Sequence, residues 1–396
     1  MTHNIIKFLT AGHVDDGKST LIGKLLYDTD SIPDDQIASI KKLGNGEIDY
    51  SLFVEGLESE RRQKITIDVA YRYFVHGNTK FIIADAPGHE QYTKNMAVAA
   101  ANSNVAVILI DAVDGVKTQT IRHTYIAHLF GIKHFIIAIN KMDLVGYSEE
   151  IFEQIKSDYL SKTKILGIEN VYFIPISAIN SDNIIKSLDN TNWYKGKSLL
   201  DTLSSIKIDD LYQDSLRFLV QNVIKHNDER LYQGKIVSGK INISDKVEVY
   251  PAKKTAIVKD VIKATENNLS IVLDHDIDID RGSIFADNNI QFDNKLNAKI
   301  VWFSDKEFNS QFNNSLYIKI SHNYIEAKIS KVNYGVDIDT LSQNNVEVIN
   351  QNSIADVQIH FSCNIAFDTF KDNKFTGSFL IIDKNDNETL AVGLVN

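Results

Sequence analysis

Residues 12–19 read Gly12-His13-Val14-Asp15-Asp16-Gly17-Lys18-Ser19, and Thr20 follows them directly. This is the G-x-x-x-x-G-K-[ST] pattern of a phosphate-binding loop. Glycines let the backbone curl so that successive N–H groups face the α and β phosphates of a nucleotide, while Lys18 reaches the β and γ phosphates. The Ser19 hydroxyl is of the type that binds Mg²⁺, and the N-terminus of a following helix adds partial positive charge. The loop therefore predicts a nucleoside triphosphate site.

The segments around this loop alternate apolar runs of strand length with helical patterns. The predicted strands are Ile5–Thr10, Thr79–Ala84, Asn104–Ile110, His134–Ile139 and Val171–Ile176. The predicted helices are Ser19–Tyr27, Glu90–Ala101, Thr118–Phe130 and Ser148–Leu166, the last with Ser148 as its N-cap. Largely apolar strands alternating with helices indicate an α/β P-loop domain, with a mostly parallel sheet and helices on both faces.

A second group of motif residues, Asp85-Ala86-Pro87-Gly88-His89, follows the predicted strand Thr79–Ala84. A carboxylate at Asp85 is suited to hold Mg²⁺ through water. Gly88 is expected to turn its N–H toward the γ-phosphate, and His89 is expected to orient the attacking water. A lone histidine is often only a packed or surface imidazole, but the neighbouring motif residues favour the functional interpretation here.

A third motif, Asn140-Lys141-Met142-Asp143, comes just after another predicted buried strand. Asp143 is suited to accept two hydrogen bonds from the N1–H and N2–H edge of guanine, whereas adenine presents an unprotonated ring nitrogen there. Lys141 is expected to cover the base with its alkyl stem. Ser177 and Ala178 follow the next strand and are expected to offer a backbone N–H to the guanine oxygen. The three motifs together predict a GTP site.

The segment Lys64-Ile65-Thr66-Ile67-Asp68 lies between the first two motifs, where the γ-phosphate is expected to be sensed. Thr66 is predicted to be a Mg²⁺ ligand together with Ser19 and Asp85, and to act in catalysis with Lys18 and His89. Threonine in a strand-like segment also occurs for its β propensity alone. By contrast, Gly196-Lys197-Ser198 is incomplete as a phosphate loop, because Thr191 replaces the first glycine; a turn before a short helix is expected there.

The pattern changes to strict alternation after about Asp214, with turn signals every ten or so residues. The alternating apolar residues include Val247 and Val249, and later Leu316, Ile318 and Ile320. Such a pattern predicts two all-β barrel domains after the P-loop domain. We predict boundaries that give a P-loop domain at residues 1–212 and β-barrels at residues 213–297 and 298–396.

Composition limits the cellular context and the partners. The net charge of −10 argues against a nucleic-acid partner, which would require clustered Lys and Arg. Cys363 is the sole cysteine, which suits a reducing compartment, and it is expected to be a small buried residue in a strand. No apolar run approaches the length of a membrane span. A cytoplasmic protein without membrane contact is therefore expected.

The residues quoted above resemble those of the translation-factor class of P-loop GTPases. Several stretches are more similar to the GTPase subunit of bacterial sulfate adenylyltransferase than to an elongation factor. They are residues 14–21 (VDDGKSTL), 25–29 (LLYDT), 65–74 (ITIDVAYRYF) and 87–96 (PGHEQYTKNM), with thinner similarity at 193–196, 277–282 and 376–379. The resemblance implies a GTPase domain followed by two β-barrels. It also implies a separate catalytic subunit, the small subunit, that joins ATP and sulfate into adenosine 5′-phosphosulfate and pyrophosphate while GTP hydrolysis is coupled to the reaction.

The chain also departs from this family at three positions. Lys64 replaces a usual glycine before Ile65, Leu219 replaces a usual proline, and Ser244 replaces a usual turn glycine. Lys64 keeps open the alternative of a subunit that holds GTP without hydrolysing it. Another alternative is a translation elongation-type GTPase that delivers aminoacyl-tRNA. The sequence contains no Ser-Gly-Gly-x-Asp-Ser loop for adenylyl transfer, so that chemistry is expected on another chain.

Overall fold

The computed structural model describes residues 4–396 apart from 44–47, 55–67, 90–92, 187–191, 209–214, 227–228, 264, 266, 288–289, 310–315 and 338–339. The chain forms two compact units; the first comprises the chain up to Ile208 together with Thr340 and Leu341, and the second comprises the remainder. Thr66 and Lys64, both singled out in the sequence, lie outside the described residues.

The first unit contains a six-stranded sheet with the strand order β2-β3-β1-β4-β5-β6. Its strands are β1 (Asn4–Ala11), β2 (Ala70–His76), β3 (Thr79–Asp85), β4 (Val105–Asp111), β5 (His134–Asn140) and β6 (Asn170–Pro175). Strands β1 and β3–β6 pair in parallel and confirm the five predicted strands, whereas β2 is antiparallel to β3. All of β4 is buried, as its continuous apolar run predicts.

Helices lie between these strands. They are α1 (Lys18–Asp28), α2 (Asp34–Leu43), α3 (Thr93–Ala101), α4 (Thr118–Leu129), α5 (Glu149–Thr163) and α6 (Leu199–Ser205). Ser148 is the N-cap of α5, since its side chain accepts a hydrogen bond from the Ile151 N–H. Ser198 caps α6 in the same way, so the incomplete motif at Gly196 is a turn before a helix, as predicted.

Strand register places the motif residues at one edge of the sheet. Thr10 lies opposite Asp85 in the β1–β3 pair, and Asp111 lies opposite Asn140 in the β4–β5 pair. Because these strands are parallel, their carboxyl ends and the loops that follow meet at the same edge. Ligands bind in such a position in open α/β sheets.

The second unit contains two closed β-structures. The first is a six-stranded barrel with the order β10-β11-β8-β7-β12-β9. Its strands are β7 (Arg217–His226), β8 (Glu229–Ser238), β9 (Lys246–Tyr250), β10 (Lys254–Lys263), β11 (Asn268–Leu273) and β12 (Ile284–Ala286). Val247 and Val249 face its core, which confirms the alternation seen in the sequence. Ser244 has φ +74°, a left-handed conformation that glycine adopts with less strain than serine.

The second closed structure is a sheet with the order β14-β18-β19-β13-β17-β15-β16, closed by an additional pairing of β14 with β15. Its strands are β13 (Gln291–Trp302), β14 (Leu316–Ile320), β15 (Asn323–Val336), β16 (Gln343–Asn344), β17 (Ile354–Phe367), β18 (Ser378–Asp383) and β19 (Thr389–Val395). The alternating residues Leu316, Ile318 and Ile320 are buried in its core. Asn297, where a domain boundary is predicted, falls inside β13, and the domain boundaries stay predictions.

A buried ion pair joins the two barrels. The Nε and Nη2 of Arg217 on β7 each lie 2.8 Å from an oxygen of Asp368, which directly follows β17. The Arg217 side chain is 3% exposed and that of Asp368 is 7% exposed. Thr376 donates a further hydrogen bond to Asp368, and Arg217 also contacts Asp287 at 3.2 Å. The Asp368 carboxylate and the Arg217 guanidinium therefore both have several hydrogen-bonding partners.

The expectation that Cys363 is buried was wrong, although the residue does lie in a strand. Cys363 is exposed on β17, within the stretch Ser362–Asn364, where the strand leaves the core. Alternation in that part of β17 is interrupted, so strand position does not predict burial. Among the helices of the described residues, none combines the length and the apolar character that a membrane span requires.

Candidate functional site

The phosphate loop connects β1 to α1 through unusual backbone conformations. Gly12, Asp15 and Gly17 have φ of +153°, +69° and +92°. Gly17 precedes the first turn of α1, and its carbonyl accepts a hydrogen bond from the Leu21 N–H at 2.9 Å. A Cβ on Gly17 would overlap the Nδ2 of Asn140. Both glycines of the motif are thus required by local geometry, as the sequence pattern indicates.

Lys18 is buried inside this loop. Its Nζ donates hydrogen bonds to the carbonyl oxygens of Gly12 at 3.1 Å and of His13 at 2.8 Å, and the residue is 7% exposed. Burial lowers the pKa of Lys18, and the carboxylates of Asp85 and Asp16 oppose that shift. The ammonium therefore lies where the terminal phosphates of a nucleotide are expected, with acidic groups close by.

Asp16 is folded into the loop. One of its carboxylate oxygens accepts a hydrogen bond from the His13 N–H at 2.6 Å, and the residue is only 2% exposed. Burial raises the pKa of Asp16, against the charge of Lys18 and the hydrogen bond from His13. The carboxylate thus holds the curled shape of the loop, a role that the sequence did not reveal. Val14 lies in the same loop, and Ser19 and Thr20 lie half-buried in the first turn of α1.

The segment from Asp85 to His89 lies against the phosphate loop. Asp85 is 1% exposed and accepts a hydrogen bond from the Thr10 hydroxyl at 3.3 Å. The Ala86 N–H donates to the Thr10 carbonyl at 3.2 Å. A Cβ on Gly88 would lie 2.7 Å from the Lys18 Nζ, so only glycine allows this approach. Pro87 is buried, and the half-buried His89 follows immediately after the contact with Lys18.

Asn140 connects two parts of the site. Its Nδ2 donates to the Asp16 carbonyl at 2.8 Å, and its Oδ1 accepts from the Ala178 N–H at 2.9 Å. The Met142 N–H also donates to the Ile176 carbonyl at 3.2 Å, and Met142 is fully buried. The third motif is thus joined to the phosphate loop on one side and to the turn after β6 on the other.

Lys141 and Asp143 complete the third motif. Lys141 has φ +63°, and its Nζ pairs with the buried carboxylate of Asp111 at 2.6 Å, which fixes the direction of the side chain. Asp143 lies in the first turn of a short 3₁₀ helix (Met142–Val145) and is half-buried. Asp111 was not identified from the sequence, although it ends a strand as Asp85 does.

The turn after β6 brings Ser177 and Ala178 to the same place. Ser177 and Asp182 exchange two backbone hydrogen bonds, at 3.3 and 3.1 Å, and Ser177 is fully buried. The structure therefore brings the three predicted motifs together at one edge of the sheet. Thr66 is the predicted site residue that falls outside the described part of the chain.

We expect Gly17→Ala to weaken GTP binding by about tenfold or more, because a positive φ and an overlap with Asn140 both oppose the new Cβ. Titration with a fluorescent GTP analogue measures the change. Gly77→Ala is the matched control, since Gly77 has φ +58° but a Cβ there meets nothing within 4 Å. Wild-type affinity in the Gly17 variant would contradict the proposed geometry.

Comparisons with known proteins agree with this architecture. The model of the elongation factor Tu GTP binding domain matches residues 3–206, and the GTP-eEF1A C-terminal domain-like model matches residues 295–396. The solved GTPase-like domain of S. cerevisiae Ski7, bound to GTP, aligns with 100% of this chain and 97% of its own at 17% identity. The TM-score of that alignment is 0.52, so the similarity is one of fold.

Relatives over nearly the full length are more specific. Sulfate adenylyltransferase subunit 1 of Aliarcobacter butzleri is 44% identical over 99% of this chain and 87% of its own length. The proteins of the same name from Francisella tularensis subsp. novicida and Saccharophagus degradans are 42% and 41% identical, each over 99% of this chain and 86% of its own. The chain therefore belongs to the sulfate adenylyltransferase subunit 1 family and is a GTP-binding GTPase subunit with a nucleotide domain of the elongation factor Tu type.

Proposed function

We propose that this chain couples GTP hydrolysis to the synthesis of adenosine 5′-phosphosulfate and pyrophosphate from ATP and sulfate in sulfate assimilation. A separate catalytic subunit, the small subunit, performs the adenylyl transfer. The observation that carries the proposal is the close approach of Gly88 to Lys18 beside the phosphate loop, in a chain whose full-length relatives are named subunit 1. That name supports the existence of a second subunit, and the lone thiol of Cys363 supports a cytoplasmic location.

In this proposal, Lys18 and the loop amides stabilise the phosphates and the charge that builds on the β–γ bridge. A buried ammonium acts strongly there because little water screens it. The Lys18 Nζ donates hydrogen bonds to two loop carbonyls. Phosphate oxygens would replace those carbonyls as acceptors for the same donor.

His89 is the residue that orients the attacking water. Its position is supported by the neighbouring Gly88, whose Cα faces the Lys18 ammonium and the carbonyl of Gly12. A side chain that directly follows this contact is well placed beside the terminal phosphate. Gly88 itself is expected to offer its N–H to the γ-phosphate.

Ser19 and Asp85, with Thr66, are the residues that would hold Mg²⁺. Hydroxyl and carboxylate oxygens are the ligands that this cation prefers, and it usually keeps water and phosphate oxygens as further ligands. Mg²⁺ bound there neutralises phosphate charge.

The base half of the site consists of Asp143, Lys141, Ser177 and Ala178. The carboxylate of Asp143 recognises the N1–H and N2–H groups of guanine, and it rejects adenine because a ring nitrogen would face it without a proton. The ion pair of Lys141 with Asp111 holds the stem of Lys141 in a fixed direction for stacking on the base.

The test is the rate of GTP hydrolysis by the purified chain with and without the catalytic subunit of the same organism. We expect stimulation that follows the formation of adenosine 5′-phosphosulfate. His89→Ala is expected to lower the stimulated rate about 10²-fold, with little change in GTP affinity, because water positioning acts in the transition state.

His128→Ala, on the neighbouring helix α4, is the matched histidine control and is expected to keep the stimulated rate. A His89→Ala protein with full stimulated activity would remove His89 from the mechanism. Hydrolysis that ignores the catalytic subunit, combined with stoichiometric retention of aminoacyl-tRNA, would overturn the proposed coupling in favour of a translation factor.

A further inference from the structure

Tyr147 lies between the two turns that form the base half of the site. It follows the 3₁₀ helix that contains Asp143, and its backbone has φ +55°. A left-handed conformation is unfavourable for an aromatic residue, so surrounding contacts must hold it. The Tyr147 N–H donates to the Met142 carbonyl at 2.8 Å, and the Tyr147 carbonyl accepts from the Trp193 Nε1 at 2.9 Å.

The Tyr147 side chain reaches the other turn. Its hydroxyl makes a short hydrogen bond with the carboxylate of Asp182, and the Asn180 Nδ2 lies 3.5 Å from the same hydroxyl. Asp182 in turn exchanges two backbone hydrogen bonds with Ser177. One phenol therefore joins the turn of Asp143 to the turn of Ser177.

The electrostatics of this contact agree with the geometry. Burial raises the pKa of Tyr147, and the hydrogen bond and the charge of Asp182, together with the charge of Asp143, raise it further. The phenol thus stays protonated and donates to the carboxylate, which is a charge-assisted hydrogen bond.

Trp193 anchors the arrangement to the body of the domain. Its ring packs on Phe152 of α5, with ring centroids 5.0 Å apart, while its Nε1 holds the Tyr147 carbonyl. Tyr147 is therefore fixed at its backbone by Trp193 and at its hydroxyl by Asp182. A residue fixed at two points in this way can set the relative position of the two turns that it contacts.

We propose that Tyr147 and Asp182 are positioning residues for guanine recognition, which hold the Asp143 turn at the correct distance from the Ser177 turn. The inference rests on the proposed function, because it takes Asp143 as the residue that binds the base edge. It adds to that function a pair of residues that contact the base-binding turns rather than the base.

The test compares GDP with inosine diphosphate, which lacks the 2-amino group that Asp143 is expected to bind. In Tyr147→Phe we expect GDP to bind about tenfold more weakly, the scale of one charge-assisted hydrogen bond. The affinity for inosine diphosphate is expected to fall by about threefold at most, since it already lacks one contact with Asp143. The ratio of the affinity for GDP to the affinity for inosine diphosphate should therefore fall.

Asp182→Asn should also reduce the preference for GDP over inosine diphosphate. The double variant Tyr147→Phe/Asp182→Asn should lose little more of this preference than either single variant, because the two residues act through one hydrogen bond. Tyr172→Phe on β6 is the matched control; Tyr172 is 38% exposed, and its variant should bind like the wild type. Equal losses for both diphosphates with a lower melting temperature would show a merely structural role and overturn the proposal. Additive effects of the two substitutions would also overturn it.

The wild-type chain separates this inference from the proposed function. If the wild type prefers GDP over ADP while Tyr147→Phe binds GDP and inosine diphosphate with wild-type affinity, only the positioning role fails. If it does not prefer GDP over ADP, guanine recognition itself fails, and the positioning role fails with it.

Discussion

Replacing Lys18 by methionine is expected to lower the rate of GTP hydrolysis roughly 10³-fold and to weaken GTP binding roughly 10²-fold. Methionine keeps the apolar stem of the side chain but removes the ammonium, which is buried beside Gly88 and the phosphate loop. A charge in such a place interacts strongly with phosphate because water does not screen it. Single-turnover hydrolysis of labelled GTP and titration with a fluorescent analogue measure the two effects.

The control for this substitution is Lys162→Met on α5. Lys162 pairs with Asp158 at 3.0 Å on the exposed surface of the same domain, with its side chain 46% exposed. Its variant should hydrolyse GTP at the wild-type rate. The circular dichroism spectrum of Lys18→Met should match that of the wild type, which excludes misfolding as the cause. Wild-type hydrolysis by folded Lys18→Met protein would refute the proposed role of the phosphate loop.

Arg217→Met is expected to lower the free energy of unfolding of the second unit by about 3–5 kcal/mol, the usual effect of removing one partner from a buried ion pair. The loss arises because Asp368 would remain buried with a charge and without its bidentate partner. Burial alone would lower the pKa of Arg217, but the hydrogen bonds and the charge of Asp368 outweigh it and keep the guanidinium charged.

The double variant Arg217→Met/Asp368→Leu distinguishes a buried charge from lost packing. With neither charge left in the interface, most of the stability is expected to return. Urea unfolding followed by the fluorescence of the buried Trp302 measures each variant, in a Trp193→Phe background that leaves Trp302 as the sole tryptophan. Lys259→Met, which breaks an exposed pair with Glu229, should leave the midpoint unchanged. A double variant that is less stable than Arg217→Met would contradict this explanation.

The sequence predicted the parts of the fold that rest on continuous or periodic burial. Five strands of the first unit were found because each is a largely apolar run, and the central strands β4 and β5 are buried along nearly their whole length. Strand β2 was missed because it is an edge strand: Phe74 is buried, but Tyr71 and Tyr73 are 47% and 69% exposed. Helix α2 was missed because its apolar residues are few and weakly buried: Ile40 is buried, but Ile37 is only partly buried and Ala38 is exposed.

The candidate site, like the fold, was predictable from the sequence only in part. Short motifs with fixed spacing indicated the phosphate loop and the base-binding residues, because their geometry is local. Contacts between distant residues were not predictable: Asn140 bonds to Asp16 across 124 positions, and Tyr147 bonds to Asp182 across 35. Residues that hold the site residues in place, such as Asp111, were therefore identified only from the structure.

The amide of Asn140 has a consequence beyond its two hydrogen bonds. Because it touches the backbone of Asp16 on one side and that of Ala178 on the other, order imposed on either half of the pocket restricts the conformations of the other half. Guanosine alone, bound at the base end, is therefore expected to lower the entropic cost of binding free pyrophosphate at the loop end. By thermodynamic reciprocity, pyrophosphate promotes the binding of guanosine equally. The two fragments of a nucleotide are thus expected to bind this protein cooperatively even when no covalent bond joins them.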